Sequence, residues 1–328
     1  MILDQNKLSE ISEYLQAHGV IKSHEFVSKA EKPGEGNMNY TLRLFVDEKT
    51  FIIKQARPYV EKYPSIAAPE ERILVESEFY KIISKNDFLA HHTPKILHSD
   101  EKNHILLMED LGNTQDFSSL YKKGNELIVD DVKMCAVFLN ELHGEFKKDT
   151  ANDLMANKKL RNLNHEHIFI YPFLEDNGFD LDTVTAGLQN LAMNYKTNSV
   201  LKAKAEKLGA NYLADGDTLL HGDYYPGSWL NTKEGLKVID PEFAFYGKAE
   251  FDLGVLNAHL MMAQQPENVF ETLKKFYKKD DDFEESLFKQ FTGIEIMRRI
   301  IGLAQLPLDL SLEEKKQLLE KAMVLIGE

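Results

Sequence analysis

The feature that most constrains the fold is a change of periodicity near residue 112 of a 328-residue chain. Before it, short runs follow the two-residue alternation of half-buried strands; after it, apolar residues recur at helical spacing. Strands are predicted over 40–46 and 50–54, separated by Asp47-Glu48-Lys49, and over 94–98 and 105–109. Helices are predicted over 8–17 and 69–84, the second with Pro69 near its start and glutamates in its first turn. From about residue 115 the pattern is helical almost throughout, with helices predicted over 129–146, 151–161, 180–208, 251–263, 269–279, 283–303 and 311–326. Strands gathered in one part and helices in the other predict an α+β fold, since a parallel sheet would interleave them as βαβ units.

Composition excludes several classes. The formal net charge of −14 repels an extended phosphate backbone, so nucleic acid is not expected as a partner. A single nucleotide stays compatible with that charge, because a divalent cation offsets carboxylates locally. No apolar run approaches the roughly 18–20 residues that span a bilayer, and the N-terminus lacks a basic segment followed by an apolar one. The lone Cys135 rules out an internal disulfide and, lying in an apolar run, is expected to be buried; a reducing, cytoplasmic setting follows. There is no CxxC and no helix-borne histidine pair, hence no sequence motif for zinc.

Several residue types suit phosphate chemistry. The turn at 33–37 carries Gly34 and Gly36, which let a backbone approach a phosphate, while Asn37 and Asn39 offer side-chain donors. Alone, such a turn is more often a plain turn. Lys54, at the end of the next strand, places an ammonium within reach of phosphates covered by that loop. On the helix over 69–84, Glu76 is the favoured carboxylate to orient this lysine and Glu78 the alternative. Met108, Glu109 and Leu111 lie where strand-rich chain gives way to helical chain, a junction able to present backbone groups to an adenine ring.

Two acidic clusters then stand seventeen residues apart: His221-Gly222-Asp223 and Asp240-Pro241-Glu242. A carboxylate on a tight loop suits orienting a hydroxyl and accepting its proton, which gives Asp223 the character of a general base. Carboxylates two apart at a strand end share a side and suit a hard cation such as magnesium. Between them Trp229-Leu230, a turn at Glu234-Gly235 and a short strand suggest a hairpin-like platform.

Taken together the order of these parts resembles that of protein-kinase-like phosphotransferases. The chain resembles the aminoglycoside phosphotransferase and choline kinase superfamily, and more narrowly the methylthioribose kinases, in GEGNMNYTLRL at 34–44, IKQARPYV at 53–60, MEDL at 108–111, HGDYYPGS at 221–228, VIDPEFAFYG at 238–247, FDLG at 251–254 and MRRIIGLA at 297–304. The resemblance implies a two-lobed fold, with an antiparallel-sheet nucleotide-binding lobe over 1–112 and a mainly helical catalytic and substrate-binding lobe over 113–328. It implies ATP and Mg2+ as cofactors, Asp223 as base, Asp240 and Glu242 as magnesium ligands, and Lys54 on the phosphates. Ser228 takes the loop position where most relatives carry a metal-binding Asn, Asp252 braces the catalytic loop, and Arg298 and Arg299 reach towards the sugar and the transferred phosphate. A small hydroxylated substrate is the implied partner, with no membrane, and relatives of this kind are often homodimers.

The expected acceptor is 5-methylthioribose or a related sugar; an amino alcohol or aminoglycoside acceptor, or a silent nucleotide-binding protein, are the alternatives. Tyr224-Tyr225-Pro226 replaces the Leu-His-Thr of methylthioribose kinases, Lys248-Ala249-Glu250 stands where they tend to carry Pro and Gly, and the chain is shorter. The tyrosine pair and Trp229 are expected to reshape the acceptor pocket by stacking on a flat face.

Overall fold

A computed structural model describes residues 1–34, 36, 38–147 and 153–327. The chain divides into two compact units, the first made of 1–115, 153–160 and 230–244, the second of 116–152, 161–229 and 245–328.

In the first unit α1 (Leu8–Ala17) precedes β1 (Lys29–Glu31), β2 (Tyr40–Val46) and β3 (Lys49–Gln55). After the small ribbon of β4 (Tyr59–Val60) and β5 (Tyr63–Ala67) come α2 (Arg72–Ile83), α3 (Asp87–His91), β6 (Ile96–Asp100) and β7 (Ile105–Glu109). The main sheet runs β1-β2-β3-β7-β6 with antiparallel neighbours throughout. Strict alternation in β2 buries Tyr40, Leu42, Leu44 and Val46 on one face, where they pack with Ile11, Tyr14 and Leu15 of α1. Lys54 lies opposite Thr41 on one side and Leu106 on the other, in the central strand of this sheet. The turn Pro241–Phe243 packs on α2, and a hairpin of Trp229–Thr232 with Gly235–Val238 leads into it.

The second unit is mainly helical: α4 (Val129–Glu145), the continuation of α5 (Lys158–His165), α6 (Leu188–Lys196), α7 (Ser199–Leu213), α8 (Glu250–Met262), α9 (Glu267–Phe276), α10 (Glu285–Ile301) and α11 (Leu312–Gly327). Its core gathers Phe251 and Val255 of α8, Phe291, Ile294 and Met297 of α10, and Leu319 and Ile326 of α11. Gly254 makes the close α8–α10 approach possible, since a Cβ there would stand 2.8 Å from the Phe291 Cβ.

One predicted helix breaks. The span 180–208 is a short turn at Leu181–Thr183 followed by α6 and α7. Gly187 takes a left-handed conformation (φ 87°) before α6, and Asn198 caps α7 by accepting from the Leu201 N–H; each ends the regular path before a new helix starts. The predicted helix over 151–161 begins outside the described residues, and its described part is a turn at Asp153–Ala156 followed by α5. Among the described residues no helix is long and apolar enough to cross a membrane.

Candidate active site

In the first unit, Lys54 is the centre of a buried charge cluster. Its ammonium donates to Glu76 Oε1 at 2.6 Å and also pairs with Asp240. Of the two glutamates on α2, Glu76 is thus the partner; Glu78 pairs with Lys81. Burial works against the charge on Lys54, but the Asp240 and Glu76 carboxylates outweigh it and hold its pKa well above the usual lysine value.

Asp240 itself sits in the left-handed region at φ 63°, a conformation that short polar side chains tolerate, so the chain turns sharply after the strand and swings Glu242 inward. Glu242 accepts from Asn39 Nδ2 at 3.0 Å and lies 3.5 Å from Arg72 Nε. Burial pushes the Glu242 carboxyl up to about 8, against the pull of Arg72. Arg72 is fully buried and donates to Asn39 Oδ1 and to the Arg57, Pro69 and Met38 carbonyls. Asn157 donates to the Glu242 and Ala244 carbonyls, fixing the same turn.

These residues fit a hard divalent cation. Asp240 keeps 44% of its side chain exposed, Glu76 Oε2 is buried with no hydrogen-bond partner among the described residues, and all the acidic donors are oxygens.

The predicted glycine turn is open: Gly34 and Gly36 are exposed, and nothing lies within 4 Å of where a Cβ on Gly34 would be. Asn37 lies outside the described residues. Asn39 is buried between Arg72 and Glu242, so its amide supports the acidic turn. Met108 is buried in β7, Glu109 exchanges hydrogen bonds with Lys95, and Leu111 is half-buried.

In the second unit the loop 221–223 is clamped from below. Asp252, near the start of α8 and fully buried, accepts from the backbone N–H groups of His221 at 2.7 Å and Gly222 at 2.9 Å. His143 Nε2 stands 3.3 Å from the same carboxylate, its other nitrogen meeting the Tyr277 hydroxyl. Gly222, at φ 84°, makes the turn that aims both amides downward. Ser228 is buried and donates its hydroxyl to the Asp223 carbonyl at 2.9 Å.

The Asp223 carboxylate accepts from Arg299 Nη2 at 3.0 Å through Oδ1. Behind Arg299 lies a network whose Glu295–Arg298–Arg299 part follows the i,i+3 and i,i+4 spacing of a helix, while its His259 and Tyr121 members come from distant sequence. Glu295, one turn earlier on α10, accepts from Arg299 Nε at 2.6 Å and from Arg298 Nη1 at 3.0 Å. Its Oε1 also lies 3.1 Å from His259 Nε2, and His259 Nδ1 lies 2.6 Å from the Tyr121 hydroxyl. Burial opposes the charge on Glu295, yet Arg298 and Arg299 hold its carboxyl well below the usual range. An ionised Glu295 takes the His259 Nε2–H, and Tyr121 donates to Nδ1. The Arg299 guanidinium lies 4.9 Å from the centre of the Tyr225 ring.

Burial lowers His259 to about 4. An unfolded histidine titrates near 6.5, so the unfolded chain binds more protons between those values and stability falls as the pH drops through them. The expected outcome is a melting temperature that declines from about pH 7 towards about pH 4.5, with a shallower decline in His259→Asn. Thermal unfolding across that range checks it; equal slopes in the two proteins would remove His259 as the cause.

The expectation for the aromatic residues is corrected. Tyr224 and Trp229 are fully buried: Tyr224 stacks on Phe138 and donates to the Cys135 carbonyl, while Trp229 packs against Tyr224 and Phe117. Both belong to the core beneath the loop and have no face for a ligand. The alternation of the extended segment turns Tyr225 the other way, against Arg299 and His259.

Residues 42–287 match the phosphotransferase enzyme family. The chain is 28% identical to methylthioribose kinase of Bacillus velezensis, covering 88% of this chain and 83% of the relative. Identity to that of Exiguobacterium sibiricum is 29%, covering 84% and 80%. Among solved structures, choline kinase LicA from Streptococcus pneumoniae superimposes with a TM-score of 0.55 at 13% identity, over 97% of this chain and 98% of that one. The gentamicin-APH(2")-IIa complex gives 0.56 at 16%, over 100% and 97%.

Proposed function

Because the chain belongs to the phosphotransferase enzyme family and is a small-molecule kinase, we propose that it transfers the γ-phosphoryl group of ATP to a hydroxyl of 5-methylthioribose or a closely related sugar. The observation that carries the choice of acceptor is the Arg299 guanidinium on Asp223, backed by Arg298 and Glu295. A cationic amino alcohol would set its donor-only ammonium against donor-only guanidinium groups beside the base, whereas a neutral, oxygen-rich acceptor finds hydrogen-bond donors there.

In this reading Asp223 orients the acceptor hydroxyl and takes its proton on Oδ2, Arg299 holding Oδ1. Lys54, oriented by Glu76, contacts the nucleotide phosphates, with the Gly34–Gly36 turn covering them and residues 108–111 flanking the adenine. Asp240 and Glu242 hold magnesium, which when bound offsets the phosphate charge. Arg298 and Arg299 position the sugar and the transferred group. Residues 1–112 act as the nucleotide lobe and 113–328 as the catalytic lobe, to which Ser228 contributes by fixing the loop after Asp223.

ATP consumption is expected to rise with 5-methylthioribose and to stay at background with choline or an aminoglycoside. Turnover of the latter two alone would overturn the acceptor, and no turnover with any would favour a silent nucleotide binder. Separately, Asp240→Ala is expected to abolish most of the melting-temperature rise produced by Mg-ATP. An undiminished rise would remove Asp240 from the metal site.

A further inference from the structure

Away from the residues given catalytic roles, within the first unit, three side chains from distant parts of the sequence converge. His18 follows the last turn of α1, and His98 and Asp100 lie on the edge strand β6. One ligand atom from each lies within 4.8 Å of the other two. We propose that His18, His98 and Asp100 form a binding site for a divalent transition-metal ion of the zinc class.

His18 and Asp100 are already held as metal ligands are. His18 Nδ1 lies 2.8 Å from the Tyr14 carbonyl, which makes Nδ1 the protonated nitrogen and leaves the Nε2 lone pair turned towards Asp100, 3.9 Å from its Oδ2. A backbone carbonyl fixing one imidazole nitrogen while the other binds is the usual support of a metal-bound histidine. Asp100 accepts from the Tyr14 hydroxyl at 2.9 Å and twice from Asn103, at 2.7 and 3.1 Å. A carboxylate offers about four lone-pair sites; Oδ2 accepts from Tyr14 and the Asn103 side chain and Oδ1 from the Asn103 N–H, so the site that remains is on Oδ1.

The second observation is His98. Its Nε2 is shielded from solvent and has no hydrogen-bond partner among the described residues, a costly arrangement for a polar atom. Its ring stands 4.7 Å from that of His18, centre to centre. Two imidazoles and a carboxylate form a nitrogen-rich set that suits zinc, nickel or copper and does not suit magnesium. A zinc tetrahedron needs donors about 3.3 Å apart, so the ligands close by roughly 1 Å on binding. His18 has the freedom for this, with 34% of its side chain exposed; that exposure also provides an entry path and room for a water as fourth ligand. The pair His18 and His98 is eighty residues apart, so no spacing motif marks it.

The test uses the full chain, stripped with a chelator and titrated with ZnCl2 in excess magnesium. One equivalent is expected to bind, raising the melting temperature, and Co2+ is expected to give the visible absorption of a tetrahedral site. His18→Gln and His98→Gln are each expected to weaken zinc binding by at least about tenfold, while far-UV circular dichroism and ATP-dependent turnover stay unchanged. Failure of the folded wild-type chain to bind, or wild-type affinity in either variant, would overturn the proposal. Neither result bears on the phosphotransfer reading, whose residues are others.

Discussion

Replacing Asp223 by asparagine is expected to lower turnover by roughly 10²- to 10⁴-fold, the usual contribution of a positioned general base. The change is nearly isosteric. The amide oxygen can still accept from Arg299, and the bonds from the Ser228 hydroxyl to the Asp223 carbonyl and from the two loop amides to the Asp252 carboxylate are untouched. What disappears is the site that takes the acceptor proton. Steady-state kinetics beside a thermal-shift titration with Mg-ATP separates the two: turnover collapses and nucleotide binding persists. Near-normal turnover would end the assignment of Asp223 as base.

The second large effect is on stability. Glu295 is 1% exposed and accepts from Arg298, Arg299 and His259. Glu295→Ala takes its carboxylate partner from the buried Arg298 and leaves Arg299 with Asp223 alone, a change that costs about 3–5 kcal/mol. In a chain of this size that corresponds to a melting temperature lower by roughly 4–7 °C. Glu295→Gln keeps the volume and one acceptor, so it is expected to recover part of the loss. Differential scanning calorimetry decides: an alanine variant that melts with the wild type would show that the arginines find other partners.

Much of the first unit was legible because strand and helix periods are local properties of the backbone. The alternation in 40–46 marks β2 without reference to anything it touches, and the spacing of α1 does the same. The break inside 180–208 was missed because its apolar spacing continues across Gly187 and Asn198, whose left-handed backbone and capping bond interrupt the helix regardless of hydrophobicity. Tyr224 and Trp229 were misplaced for a related reason. An aromatic residue beside a catalytic loop has the same letter whether it faces a ligand or the core, and only packing against Phe138 and Phe117 assigns it inward.

By itself the sequence determined the α+β class, the strand that carries Lys54, and the order in which lysine, glutamate, loop aspartate and acidic pair occur, since each depends on a backbone period or a short motif. Tertiary structure decided the pairings. Lys54 meets Glu76 across 22 residues and Asp240 across 186, Asn39 meets Glu242 across 203, and Tyr121 meets His259 across 138. It also divided the platform between Asp223 and Glu242: His221 to Trp229 belong to the second unit, and Leu230 to Ala244 to the first, where the turn Pro241–Phe243 packs on α2. Such contacts have no period to read. They are set by which buried charges must find partners once water is excluded, a demand that exists only after the chain has folded around them.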